Sequence, residues 1–350
     1  MLLETTVALI QPLDPQLATL AQQHLDRLTK PPGSLGRLEE LARRYVAITG
    51  QVSPRITGKA VVVFAADHGV TAEGISAYPQ EVTAQMVQNF VRGGAAINAL
   101  ARHAGADVRV VDIGVATALP PLPGLILRKV RAGTANMTRE PAMSLAEAQQ
   151  CLDIGIAMAD DCARDGVSLV ATGDMGIGNT TASSALVALC TGAAVEQVTG
   201  YGTGIDRPTW ERKIAVIEQA IQRHAPTAND TLGWLAAVGG LEIGGIAGLI
   251  LGCARHRIPV LVDGLIATAG ALIAAGLQPH VKEYMIATHA SVEVGQQIAW
   301  QFLGQKPLLD LQLRLGEGTG AVLAMHLVEA ALRIYNDMAT FDAAGVSSGG

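Results

Sequence analysis

The sequence predicts an α/β fold in which a parallel sheet carries helices on both faces. Two observations support this. Short aliphatic runs such as AVVVFAA at 60–66 and VSLVATG at 167–173 read as strands buried on both sides. These runs alternate with amphipathic stretches of helical length, which is the order of a parallel sheet with crossover helices. Composition agrees. Hydrophobic residues make up 49% of the 350-residue chain and aromatics only 3%, so Ala, Val, Ile and Leu fill a core of closely packed helices. That length allows two domains, or one large α/β domain with an appendage.

Along the chain, residues 14–48 read as helical, broken at KPPGSLG (30–36), because Pro-Pro-Gly cannot continue a helix. Ser34 is the expected N-cap of the helix that resumes over Arg37 to Tyr45. The run 60–66 is a strand ending in DHGV. Residues 81–105 supply one or two helices, 107–115 a second strand and 125–130 a third. Ser144 is the expected N-cap of a long amphipathic helix over 144–165. The strand at 167–173 leads through a glycine-rich loop into the helix TASSALVALC. Strands at 258–264 and 281–287 follow, with a helix between them, and the residues after Phe341 read as a loose tail. Ligands on such sheets bind beyond the carboxyl ends of the strands. That rule singles out the loops at 67–80, from 114 onward, 173–181, 263–264 and 288–291.

Several function classes are disfavoured. The formal net charge is −6, with no stripe of Lys and Arg, so nucleic acid is not an expected partner. The N-terminus has no basic region ahead of its apolar residues and is not a secretory signal. The stretch 235–254 is the most membrane-like, but it holds Glu242 and is followed by Arg255, His256 and Arg257. A buried helix is the better reading, and no membrane association is expected. The mean hydropathy of +0.32 then reflects a large core with an apolar oligomer interface. Cys151, Cys162, Cys190 and Cys253 form no CxxC pair and read as free thiols in a reducing compartment. The histidines show no HxH or HxxxH spacing, so no metal is expected.

The strongest chemical signal is GDMGIGNTT at 173–181. Gly173, Gly176 and Gly178 let a ligand approach the backbone. Asn179, Thr180 and Thr181 cap the following helix or bond an oxyanion, and a helix N-terminus cradles phosphate. The loop is neither a Walker A sequence nor a dinucleotide fingerprint. It is a phosphate site or a plain β–α turn. A second loop, GYGTGID at 200–206, leads into a helix containing Lys213 and can close on the same phosphate. Asp67 and His68 stand at a strand end, either for a metal or acid–base role or, more simply, with Asp67 holding the loop and His68 packing beside it. Glu317, between Gly316 and Gly318, either stabilises the helix that follows or acts as a general base.

Together, TKPPGSLGRLE (29–39), VVFAADHGV, GGAAIN (93–98), GIGNTT, GTGID, VGGLEIGGIAG (238–248), LVDG (261–264), RLGEGTGA and NDMATFDAAGV resemble the nicotinate-nucleotide:dimethylbenzimidazole phosphoribosyltransferase family, collinearly over nearly the whole chain. The resemblance implies a Rossmann-like large domain at 59–305, a small helical domain built from 1–58 and 306–350, and a cytoplasmic homodimer that needs no cofactor. It implies transfer of phosphoribose from nicotinate mononucleotide to 5,6-dimethylbenzimidazole in cobalamin assembly. Glu317 is then the general base. Gly176, Gly178, Asn179, Thr180, Gly202, Thr203, Gly204, Lys213, Asp263 and Ser291 hold the ribotide. Tyr78, Gln80, Gln88, Met175 and Leu315 hold the base, with Asp174, Asp67 and His68 in support. Asp174 stands where the family usually has Glu. The alternatives are a transferase of the same fold that prefers another acceptor, such as adenine, and a non-catalytic nucleotide-binding protein.

Overall fold

Parallel strands form the centre of the computed structural model, which describes residues 2–202, 204–224 and 227–347. The strands are β1 (Lys59–Ala66), β2 (Asp107–Gly114), β3 (Leu125–Leu127), β4 (Leu169–Met175), β5 (Val260–Val262) and β6 (Met285–Ala287). They lie in the order β3-β2-β1-β4-β5-β6, and every neighbouring pair is parallel. The chain first builds outward from β1 to β3 and then continues on the other side of β1. A crevice opens at this reversal, beyond the carboxyl ends of β1 and β4.

The pleat sends alternate residues of β1 to opposite faces. Ala60, Val62, Phe64 and Ala66 join one hydrophobic cluster, and Val61, Val63 and Ala65 join the other. The first face is covered by helices that include Leu145–Arg164, Leu241–Arg255 and Leu265–Leu277. On the second face, helices Pro15–Arg27 and Arg37–Thr49 meet Thr319–Asp337 from the other end of the chain in a single cluster. The two ends are also joined through backbone, with Thr29 N–H donating to Ala339 C=O at 3.0 Å.

Local chemistry explains most boundaries. Ser144 and Glu147 form the expected capping box. Ser34 does not cap its helix. Its N–H closes a turn onto Pro31, and the helix starts after Gly36. Glu39 holds that start instead, accepting from Leu35 N–H at 3.0 Å and pairing with Lys30 at 2.8 Å. Of the run 281–287, only 285–287 is strand, because Pro279 opens a 3₁₀ turn over Pro279–Tyr284 that Gln278 caps. Of 125–130, only 125–127 is strand. Helix Leu2–Leu9 was not evident from the sequence, nor was the parallel pair β7 (His289–Ser291) and β8 (Leu309–Leu313). The tail carries one helical turn, Phe341–Ala344, capped by Thr340.

The membrane-like stretch is two buried helices, Thr231–Val238 and Leu241–Arg255. No helix among the described residues is long and apolar enough to cross a membrane. Leu241–Arg255 lies backbone-to-backbone on Leu145–Arg164. A Cβ on Gly248 would collide with the carbonyl of Leu152, and one on Gly155 with that of Gly245. Gly248→Ala is therefore expected to cost about 1–3 kcal/mol of overpacking, read as a lower denaturation midpoint. An unchanged midpoint would show that the two helices are free to separate.

Candidate active site

Both glycine-rich loops converge at the switch point. β4 ends at Met175, and helix Asn179–Thr191 begins after Gly178, whose φ is +93°. A Cβ on Gly178 would lie 2.8 Å from Thr71 Cγ2, and one on Gly176 would run into the carbonyl of Ala66. Only glycine lets this loop lie flat on the end of β1. Lys213 reaches in from helix Arg207–His224 and donates to Thr180 Oγ1 at 2.8 Å. Gly202, from the second loop, lies against this pair. Burial pushes the Lys213 ammonium down to about 8, opposed by the charge of Glu293. Gly176, Gly178, Asn179, Thr180, Gly202 and Lys213 thus line one recess. A cation and a helix N-terminus make it a place for an anion.

This recess adjoins a cleft of about 300 Å³. Tyr78, Val82, Met86, Met175, Ile266 and Leu315 give the cleft an apolar side, and Tyr78 and Leu315 are exposed at its mouth. Glu317 lines the same cleft. It sits at φ +63° between Gly316 and Gly318, both also left-handed, a conformation that carries strain for a residue with a side chain. It is only 5% exposed. Its Oε2 accepts from Ile97 N–H at 3.1 Å. Burial raises its pKa against that hydrogen bond, and the nearby Asp263 charge raises it further. Asp174 closes the floor. Its Oδ2 accepts from Asn179 Nδ2 at 3.0 Å, while Oδ1 is buried without a partner among the described residues. Burial, then Asp263, Glu242 and Glu317, push its pKa well above the carboxylate range.

The cleft brings together Glu317, Asp174, Met175, Gly176, Asn179, Thr180, Gly202, Ser291, Tyr78 and Leu315, with Gly178 and Lys213 in the adjoining recess. Gly204 lines a neighbouring groove, and Thr203 lies outside the described residues. Other expected site residues sit elsewhere. The Asp263 carboxylate is fully buried and spent on the chain itself, accepting from Ala321 N–H at 2.9 Å and Gly318 N–H at 3.2 Å. Its neighbour Gly264 lines the cleft in its place. Gln88 accepts from Arg92 on the same helix, and neither it nor Gln80 lines the cleft. Asp67 holds Ala116 N–H at 2.8 Å, and His68 pairs with Glu242 at 2.8 Å; both are buried beneath the loop. The sequence reading did not assign Glu293 or Arg314, which also line the cleft. Arg314 stood inside the RLGEG motif, and Glu293 lies two residues beyond the 288–291 loop.

Comparison with known proteins places this geometry in a class. A family model described as "Phosphoribosyltransferase" matches residues 10–346, and the chain is a phosphoribosyltransferase. A protein of Geobacter sp. (strain M21) named nicotinate-nucleotide–dimethylbenzimidazole phosphoribosyltransferase is 57% identical, covering 99% of each chain. A protein of the same name from Chloroflexus aurantiacus is 59% identical over 99% of each chain. A crystal structure titled CobT from Thermus thermophilus superposes with a TM-score of 0.93 at 50% identity, covering 96% of this chain and 100% of that one. The chain belongs to the nicotinate-nucleotide–dimethylbenzimidazole phosphoribosyltransferase family.

The raised Asp174 pKa has a consequence for stability. A carboxyl whose folded pKa lies above its unfolded value stabilises fully below the unfolded pKa, and that contribution is lost as pH rises through the folded one. Asn cannot titrate. Asp174→Asn is therefore expected to match the native chain in melting temperature in acid and to exceed it increasingly from about pH 4 upward. Parallel melting curves against pH would show that Asp174 does not resist ionisation.

Proposed function

We propose that the protein moves the 5-phosphoribosyl group of nicotinate mononucleotide to 5,6-dimethylbenzimidazole, giving α-ribazole 5′-phosphate and nicotinate, a step of cobalamin nucleotide assembly. The observation that carries this reading is the pairing, within one crevice, of an anion recess at Lys213 and Thr180 with a strained, buried carboxylate at Glu317 beside an apolar slot. The names of the relatives supply the same substrates.

The chemistry follows from charge. Nicotinate leaves from a pyridinium and departs neutral at its ring nitrogen, so no acid is needed there. The benzimidazole attacks C1 of the ribose with one nitrogen while its N–H on the other becomes acidic. Glu317 takes that proton, or stabilises the positive charge developing on the ring. Attack opposite the leaving group inverts C1 from β to α. The 5′-phosphate in the Lys213 recess contributes binding energy remote from the reacting atoms and aligns the sugar. Asp174, whose pKa burial pushes upward, lines the floor of the cleft beside Glu317. We further propose a cytoplasmic homodimer, to be checked by light scattering. The four cysteines are free thiols, which suits a reducing compartment.

The decisive assay incubates the protein with nicotinate mononucleotide, with and without dimethylbenzimidazole, and separates the products by chromatography. Base-dependent nicotinate release with a new ribotide is expected. Binding of the donor with no release would favour a nucleotide-binding role. Glu317→Gln should lower turnover by about 10²–10⁴-fold with the fold retained by circular dichroism, and retention of most activity would remove Glu317 as base. Since Glu317 must be ionised and its pKa is raised, activity should fall on the acid side at a pH above that of an ordinary glutamate. A limb at the ordinary value would point to another base.

A further inference from the structure

Glu293 is a buried acid that lines both the cleft and the groove at Gly202. It is 6% exposed, and its Oε2 is enclosed with no hydrogen-bond donor among the described residues. It precedes helix Val294–Leu303 at the N-cap position, yet its side chain makes no cap hydrogen bond. Its own N–H donates to Ser291 Oγ at 3.2 Å, which fixes the backbone. The carboxylate lies over Gly200, where any side chain would collide with Oε2. Gly200 in turn offers its carbonyl to Lys213 Nζ at 3.5 Å. A buried carboxylate left unpaired is costly, and such groups ordinarily have a partner. A ligand in the cleft can supply that partner.

Its position decides which part of the ligand this is. The anion recess of Thr180, Gly202 and Lys213 lies on one side, and Glu317 and Leu315 line the same cleft. A phosphate is repelled by a carboxylate, and a neutral benzimidazole is already matched by the apolar slot. Between the 5′-phosphate and C1 of a ribotide stand the ribose 2′ and 3′ hydroxyls, both O–H donors. We propose that Glu293 accepts hydrogen bonds from these hydroxyls and sets the selectivity for ribosyl over deoxyribosyl donors. The inference rests on the ribotide-donor reading. The charge of Glu293 also supports the Lys213 ammonium, so a test must separate hydroxyl recognition from a general effect on the anion recess.

Calorimetric binding of nicotinate mononucleotide and of its 2′-deoxy and 3′-deoxy analogues makes that separation. The unsubstituted protein should bind the ribo donor roughly 10- to 100-fold more tightly than at least one deoxy analogue, the range for a hydrogen bond to a charged group. In Glu293→Ala that ratio should fall to within about threefold of unity. Glu293→Gln keeps the volume and one acceptor, and it should give an intermediate ratio. Should the alanine variant fail to fold, the glutamine ratio decides. Equal binding of all three donors by the unsubstituted protein would overturn the proposal. So would a ratio unchanged by substitution, because loss of support for Lys213 weakens every phosphorylated donor in proportion. Nicotinate release is followed in parallel. Selective binding without release would count against the transfer reaction and leave the assignment of Glu293 standing.

Discussion

The Asp263 carboxylate holds the site together. It leaves the end of β5 and accepts from Gly318 and Ala321, at the start of helix Thr319–Asp337. A fully buried carboxylate is tolerated only when donors surround it, and a helix N-terminus supplies both hydrogen bonds and a favourable dipole. His289 stands 3.7 Å away with its ring nitrogen. This connection, with the Lys59–Glu329 ion pair and the shared hydrophobic cluster, joins the central sheet to the helix that comes from the far end of the chain. The three left-handed residues Gly316, Glu317 and Gly318 are held taut between them. Backbone strain of this kind persists only where its surroundings over-determine it, and here the strained residue, Glu317, lines the cleft.

The crevice gathers more acid than its surroundings neutralise. Burial raises the pKa of Asp174, and the charges of Asp263, Glu242 and Glu317 raise it further. Lys213 faces the same problem with the opposite sign, since burial works against its charge. The site thus suits a ligand that is anionic at one end, hydroxylated in the middle and proton-donating at the other. A ribotide with an incoming benzimidazole has that sequence of groups.

Glycine serves two separate purposes in this chain. In helices Leu145–Arg164 and Leu241–Arg255 it removes side chains so that two helices meet through their backbones, which is why a stretch apolar enough to resemble a membrane span is an interior helix pair. In the loops at 176–178 and 316–318 it permits left-handed turns and lets the ligand approach the main chain. Helix pairing makes the scaffold rigid, and the loops are positioned by it.

Much of this was legible in the residue order. Aliphatic runs marked the buried strands of the main sheet, because a parallel strand covered on both faces has no polar side to alternate with. GIGNTT and RLGEG marked the two loops, because glycines at strand ends beside cap-forming or acidic residues have few other uses. Strand lengths at β3 and β6 were overestimated, since continued apolarity does not say where pairing stops, and β8 escaped because its exposed LDLQL has no buried run. Asp263, Gln88 and Glu293 could not be sorted from sequence at all. A buried capping carboxylate and a ligand-facing one look alike in sequence. What separates them is whether a helix N-terminus from 55 residues away arrives to take the oxygens, as it does for Asp263, or whether no donor among the described residues reaches one of them, as for Oε2 of Glu293. The sequence by itself determined the class of fold, the loops and the residue types of the chemistry, because these depend on local pattern. Only the tertiary structure decided which carboxylates line the cleft, because that depends on which distant groups have already satisfied the others.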